Sequence, residues 1–204
     1  MKYPDFFRTI ETIKLQDELS SFLGTFEDGF IEFSYLDVVK SAGHSCPTVA
    51  GAYIMTLVGL QELYSDELPK RGDVILSFQE GLEEANTGVF ANVMSHITGA
   101  AYTMGFKGIN GKFQRSGLIQ FKEQISSSVK LERIDTKKSV ELTYDASCIQ
   151  IDVRIPELMK KVLTSTATKE EKTLFGELWQ QRVQAIFQNI DKVIVRDDRR
   201  EVSK

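Results

Sequence analysis

The chain has 204 residues, of which 42% are hydrophobic and 26% charged, with a formal net charge of −4. That composition excludes a disordered chain, and the acidic balance argues against a nucleic-acid binder, whose domains usually present a basic face. No apolar run reaches the roughly 18 residues of a membrane span, and Met1-Lys2-Tyr3-Pro4-Asp5 lacks a secretory pattern, so a cytoplasmic protein with no membrane partner is expected.

Residues 5–23 carry apolar positions at helical spacing (Phe6, Ile10, Ile13) and predict an amphipathic helix stopped by Gly24. A short strand, Phe30 to Phe33, follows. Ser34 with Asp37 three residues on predicts a capping box and a short helix, Tyr35 to Ala42, ended by Gly43. Pro47 suits the first turn of a helix running to about Tyr64, whose Ala50, Gly51, Ala52 and Gly59 allow close packing. Pro69 and Gly72 bracket a turn, and Asp73 to Phe78 reads as a strand. An acidic loop, Glu80 to Thr87, leads to a helix, Gly88 to Thr98, that ends at Gly99. The stretch Gly105 to Gly117 is glycine-rich. Strands are predicted at Leu118 to Phe121, Val129 to Ile134 and Val140 to Tyr144, and the alternation of Cys148 to Ile155 predicts a fourth. Pro156 opens a short helix. After a polar linker, Thr168 and Glu171 form a second capping box before a long helix to about Asn189, and a terminal strand at Val193 to Val195 precedes a frayed tail, Asp197 to Lys204. Strands and helices mix without strict alternation. The expected fold is therefore a single α+β domain over residues 1–204, an antiparallel sheet packed with helices and a C-terminal helical extension at about 156–192.

Chemistry concentrates in Gly43-His44-Ser45-Cys46-Pro47. Cys46 falls at the N-cap of the Pro47 helix, where exposed N–H groups and the helix dipole favour an anion such as a thiolate. His44, two residues away, offers an imidazole that accepts a proton or binds a metal beside the sulfur. Gly43 permits the backbone turn that lets both side chains share a pocket. Two donors are fewer than a closed zinc site needs, since a structural site usually has four ligands and a catalytic one three plus water. His96, in the helix after the acidic loop, is the candidate third ligand, with Glu80, Glu83 and Glu84 as less favoured sources. Against this stands the reading in which Cys46 is a small buried hydrophobe and His44 a hydrogen-bonded turn residue. With Cys148 the chain has two cysteines, and a disulfide framework is not expected.

The segment Gly43-His44-Ser45-Cys46-Pro47-Thr48-Val49-Ala50-Gly51 resembles the core motif of the E subunit of formylmethanofuran dehydrogenase and its stand-alone relatives. Ala91-Asn92-Val93-Met94-Ser95-His96-Ile97-Thr98-Gly99 is similar to that family's second motif, and the glycine-rich loop and Gly117-Leu118-Ile119-Gln120-Phe121 follow in family order. The likeness covers about residues 30–125. It implies an α+β fold, a homodimer and a metal, with zinc the usual expectation and nickel or iron as alternatives. It makes His44 and Cys46 metal-proximal or catalytic, with His96 a substitute ligand. The chain lacks the additional cysteines and zinc ribbon common in that family, and Thr48 stands where a glycine usually follows Cys-Pro.

Three functions therefore stand open. The first is a metal-dependent enzyme acting on a small-molecule ligand. The second is a non-enzymatic metal- or ligand-binding accessory module. The third is a metal-free thiol protein using Cys46. Residues 105–113 fail the spacing of a phosphate loop and predict instead a hairpin or loop with Asn-Gly turn chemistry. Trp179 reads as core or dimer interface.

Overall fold

The computed structural model describes residues 2–196, so the tail Asp197 to Lys204 lies outside the described residues. The elements are β1 (Ile13–Gln16), α1 (Glu18–Phe22), β2 (Phe30–Phe33), α2 (Tyr35–Ala42), α3 (Pro47–Tyr64), β3 (Val74–Phe78), α4 (Thr87–Thr98), β4 (Ile119–Gln120), β5 (Val129–Arg133), β6 (Ser139–Tyr144), α5 (Ile155–Leu163), α6 (Lys169–Phe187), α7 (Ile190–Val193) and β7 (Ile194–Arg196). The fold is α+β. Among the described residues no helix is long and apolar enough to cross a membrane.

α3 is the centre of the molecule. Every residue from Val49 to Leu60 is buried, because apolar and small side chains occupy all sides of this helix rather than one stripe. It packs on β5 and β6 of the main sheet and is covered by α2, α4 and α6. Two of its buried hydroxyls are satisfied: Thr56 donates to the Ala52 carbonyl at 2.7 Å, and the Tyr53 phenol lies 2.7 Å from the Glu11 carbonyl and 3.1 Å from that of Phe33. Tyr53 thereby ties the central helix to β2 and the segment entering β1.

The main sheet has the order β4-β3-β5-β6-β7. Three of its pairings are antiparallel, and β3 with β4 is parallel, so the expected antiparallel sheet is a mixed one. The parallel pair arises because α4 and the glycine-rich stretch carry the chain back before β4 begins. Leu76 sits opposite Leu131 and Val129 opposite Leu142, which puts one continuous apolar face against α3.

Two expectations fail for identifiable reasons. Residues 5–23 form a 3-10 turn, β1 and the short α1 instead of one helix. Ile13 and Leu15 alternate with polar residues and pair with β2, and the Asp17 carboxylate starts a new helix by accepting from the Leu19 and Ser20 N–H groups. Residues 148–154 form no strand. β7 occupies the outer edge of β6, the Asp152 carboxylate accepts from the Arg154 N–H and bends the chain, and Ile151 and Val153 are exposed. Both capping boxes are present, as is the two-residue Asn110-Gly111 turn, with both residues at positive φ and Ile109 bridged to Lys112.

Gly51 reports the tightness of the α3–β6 contact, since a Cβ there would lie 2.5 Å from the Tyr144 ring. Helix propensity alone favours alanine by about 1 kcal/mol. The ring is half-buried and its hydroxyl donates to the Pro47 carbonyl at 2.8 Å, which limits its freedom to retreat. Gly51→Ala is expected to be net destabilising by about 1–2 kcal/mol in urea denaturation. A stabilised variant would show that this contact is loose.

Candidate functional site

The site begins where α2 stops. Gly43 takes the left-handed conformation (φ 79°) and its N–H donates to the Val39 carbonyl at 2.8 Å, ending the helix. No atom lies within 4 Å of a built Cβ at this position, so conformation rather than space demands the glycine. Cys46 is the N-cap of α3. Its Sγ accepts from the Val49 N–H at 3.4 Å, and Pro47 fills the first helical position. His44 is exposed and its Nδ1 lies 3.0 Å from the Ala42 carbonyl. An Nδ1–H donor there leaves Nε2 free as acceptor or ligand, the arrangement typical of metal-binding imidazoles.

The segment is clasped by side chains from distant elements. The Ser45 carbonyl accepts from Trp179 Nε1 at 3.1 Å and from Gln180 Nε2 at 3.2 Å, both on α6. The Ser45 hydroxyl donates to Gln180 Oε1 at 3.0 Å, so the Tyr35 phenol, 2.9 Å away, is the donor in its own bond to Ser45. Tyr144 holds the next carbonyl but one, that of Pro47. Tyr35 and Tyr144 are both pushed well above the ordinary phenol range, chiefly by burial, and the Cys46 thiol adds to the effect on each. Trp179 is thus a positioning group for this loop as well as a core aromatic.

His44 and His96 line one cavity of about 460 Å³ between α2 and α4. Val38, Ser41, Ala42 and His44 form one wall; Val89, Asn92, Val93, Ser95 and His96 form the other. Cys46 is not among the residues lining it. Among the described residues, no group of three or more His, Cys, Asp or Glu side chains stands together in a way that could hold a metal ion. The structure therefore brings His96 to the same cavity as His44 without joining His44, Cys46 and His96 into one ligand set.

His96 is half-buried, its ring edge-on to Phe33 at 5.2 Å. Behind it, Arg71 donates to the carbonyls of His96 (3.0 Å) and Ile97 (2.9 Å) at the C-terminal end of α4, where a cation complements the helix dipole. Arg71 also pairs with Asp17 at 2.9 Å, which Arg115 reaches at 2.7 Å. Burial pushes Asp17 up, but the two guanidiniums outweigh it and hold the carboxyl below its usual range. Sequence reasoning missed Arg71, Tyr35, Tyr144 and Gln180. Their roles come from tertiary contacts, and no local spacing signals them.

What the fold and site define is an α+β protein with an imidazole and a thiol displayed at the start of its buried central helix. A family model described as "FmdE, Molybdenum formylmethanofuran dehydrogenase operon" matches residues 42–196, so the chain belongs to the FmdE family. The shared region is longer than the motifs suggest and includes α6. A comparison with curated proteins found no match.

Burial and the Arg71 cation lower the His96 pKa, with Asp37 opposing. The ring should therefore titrate below 6.5 in an NMR pH titration. As pH falls, the unfolded chain takes up this proton first, so the residue's contribution to stability is complete above the unfolded value and is lost toward the folded one. A His96 midpoint at or above the ordinary value would contradict the electrostatic description.

Proposed function

We propose that this FmdE-family protein binds a transition-metal ion through His44 and Cys46 and presents it beside the cavity between α2 and α4. The observation that carries the reading is how each of these two side chains is held at the α3 start. The Ala42 carbonyl engages one His44 nitrogen and leaves the other free, and Cys46 sits at a helix N-cap. An imidazole and a thiolate suit zinc, with nickel and iron as the alternatives. Two protein donors leave positions for water or a small-molecule ligand. A metal held there supplies a Lewis acid to a bound group. His96, across the cavity, is read as a ligand-contacting imidazole. The homodimer implied by the family likeness stands as part of the proposal.

A second reading, a metal-free thiol protein in which Cys46 reacts, is favoured by the lack of a three-donor group among the described residues. Elemental analysis separates the two. Protein prepared without chelator or affinity metal is expected to carry near-stoichiometric zinc, nickel or iron that is lost in both His44→Ala and Cys46→Ala. Wild type that stays metal-free after reconstitution would sink the metal reading and leave the thiol reading.

A further inference from the structure

We infer that the cavity between α2 and α4 selects an uncharged polar small molecule with an apolar body, of the carboxamide class, over an ion of the same size. The inference rests on the reading of this cavity as the ligand site. Its volume of about 460 Å³ falls within the roughly 300–1,000 Å³ typical of small-molecule sites. The wall offers hydrogen-bonding groups: the hydroxyls of Ser41 and Ser95, the Asn92 amide, and the imidazoles of His44 and His96. Between them lie valine side chains. Among the described residues lining the cavity there is no Asp, Glu, Lys or Arg.

The nearest charges are already engaged. Arg71, behind His96, divides its guanidinium between Asp17 and the carbonyls of His96 and Ile97. Asp37 of α2 accepts from the Ser34 N–H and hydroxyl and lies 3.4 Å from Lys40. An ion entering this half-open cavity would lose part of its water and meet no free countercharge among the side chains of the wall. A carboxamide meets donors and acceptors of matching kind. The depressed basicity of His96 agrees, because a neutral imidazole offers one donor and one acceptor.

The test uses three probes of one shape: benzamide, benzoate and benzamidinium. Each is titrated into chelator-treated full-length protein and followed by NMR at Val89, Asn92 and His96. Benzamide is expected to shift these resonances with an affinity about tenfold or more above that of either ion. Asn92→Trp, at an exposed position on the cavity lip, is expected to abolish the shifts while circular dichroism stays unchanged. Equal or tighter binding of benzoate or benzamidinium would overturn the inference, as would the absence of shifts with all three. Loss of metal binding with benzamide selectivity intact would sink the metal reading alone. Metal binding without that selectivity would sink this inference alone.

Discussion

The carbonyl of Ser45 is the point on which the site depends. It lies between the left-handed stop of α2 and the N-cap of α3, in a connection too short to carry secondary structure of its own. A backbone acceptor in that position must find donors. Here two come from α6, Trp179 and Gln180, far along the chain, and both lone pairs of the oxygen are used. Because Gln180 also accepts from the Ser45 hydroxyl, the residue is gripped from two directions. His44 and Cys46 flank it, each with its own backbone partner, the Ala42 carbonyl and the Val49 N–H.

The burial of α3 makes this economy of contacts necessary. A helix enclosed on all sides carries its unpaired N-terminal N–H groups into a crowded region. Pro47 removes one donor and Cys46 Sγ satisfies another. The aromatic cluster of Phe7, Tyr35, Tyr53 and Phe187 then locks α2, α3 and α6 together, with Tyr35 contacting each of the other three rings at 4.7–5.5 Å. Tyr35 is thus both a core aromatic and the donor to Ser45. On the far side, Asp17 joins Arg71 and Arg115 under α4, so the cavity wall carrying His96 is braced from below. Removing one member of such a buried set leaves a charge unpaired, typically a loss of several kcal/mol.

Much of this was legible in the sequence where a local rule decides the outcome. Ser34 with Asp37 and Thr168 with Glu171 start helices, Gly43 and Gly99 stop them, Pro47 follows an N-cap, and Asn110-Gly111 turns the chain. The reading failed where two periodicities compete. Ile10 and Ile13 fit a helix, yet Ile13 and Leu15 fit a strand, and pairing with β2 decides the matter. Cys148 to Ile155 alternates well, but a strand needs an open edge, and β7 had taken it. At the site, His44 and Cys46 were visible as residue types at a helix start. The clasp by Tyr35, Tyr144, Trp179 and Gln180 was not, because it joins residues about a hundred or more positions apart, except for Tyr35.

The central claim is that the clasped segment presents an imidazole and a thiolate to one ion. X-ray absorption at the metal edge of zinc-reconstituted protein tests it most directly. The account predicts a single sulfur and at least one imidazole nitrogen bound to the zinc, with light-atom ligands completing the shell. A shell of oxygen and nitrogen alone, or one with more than one sulfur, would contradict it.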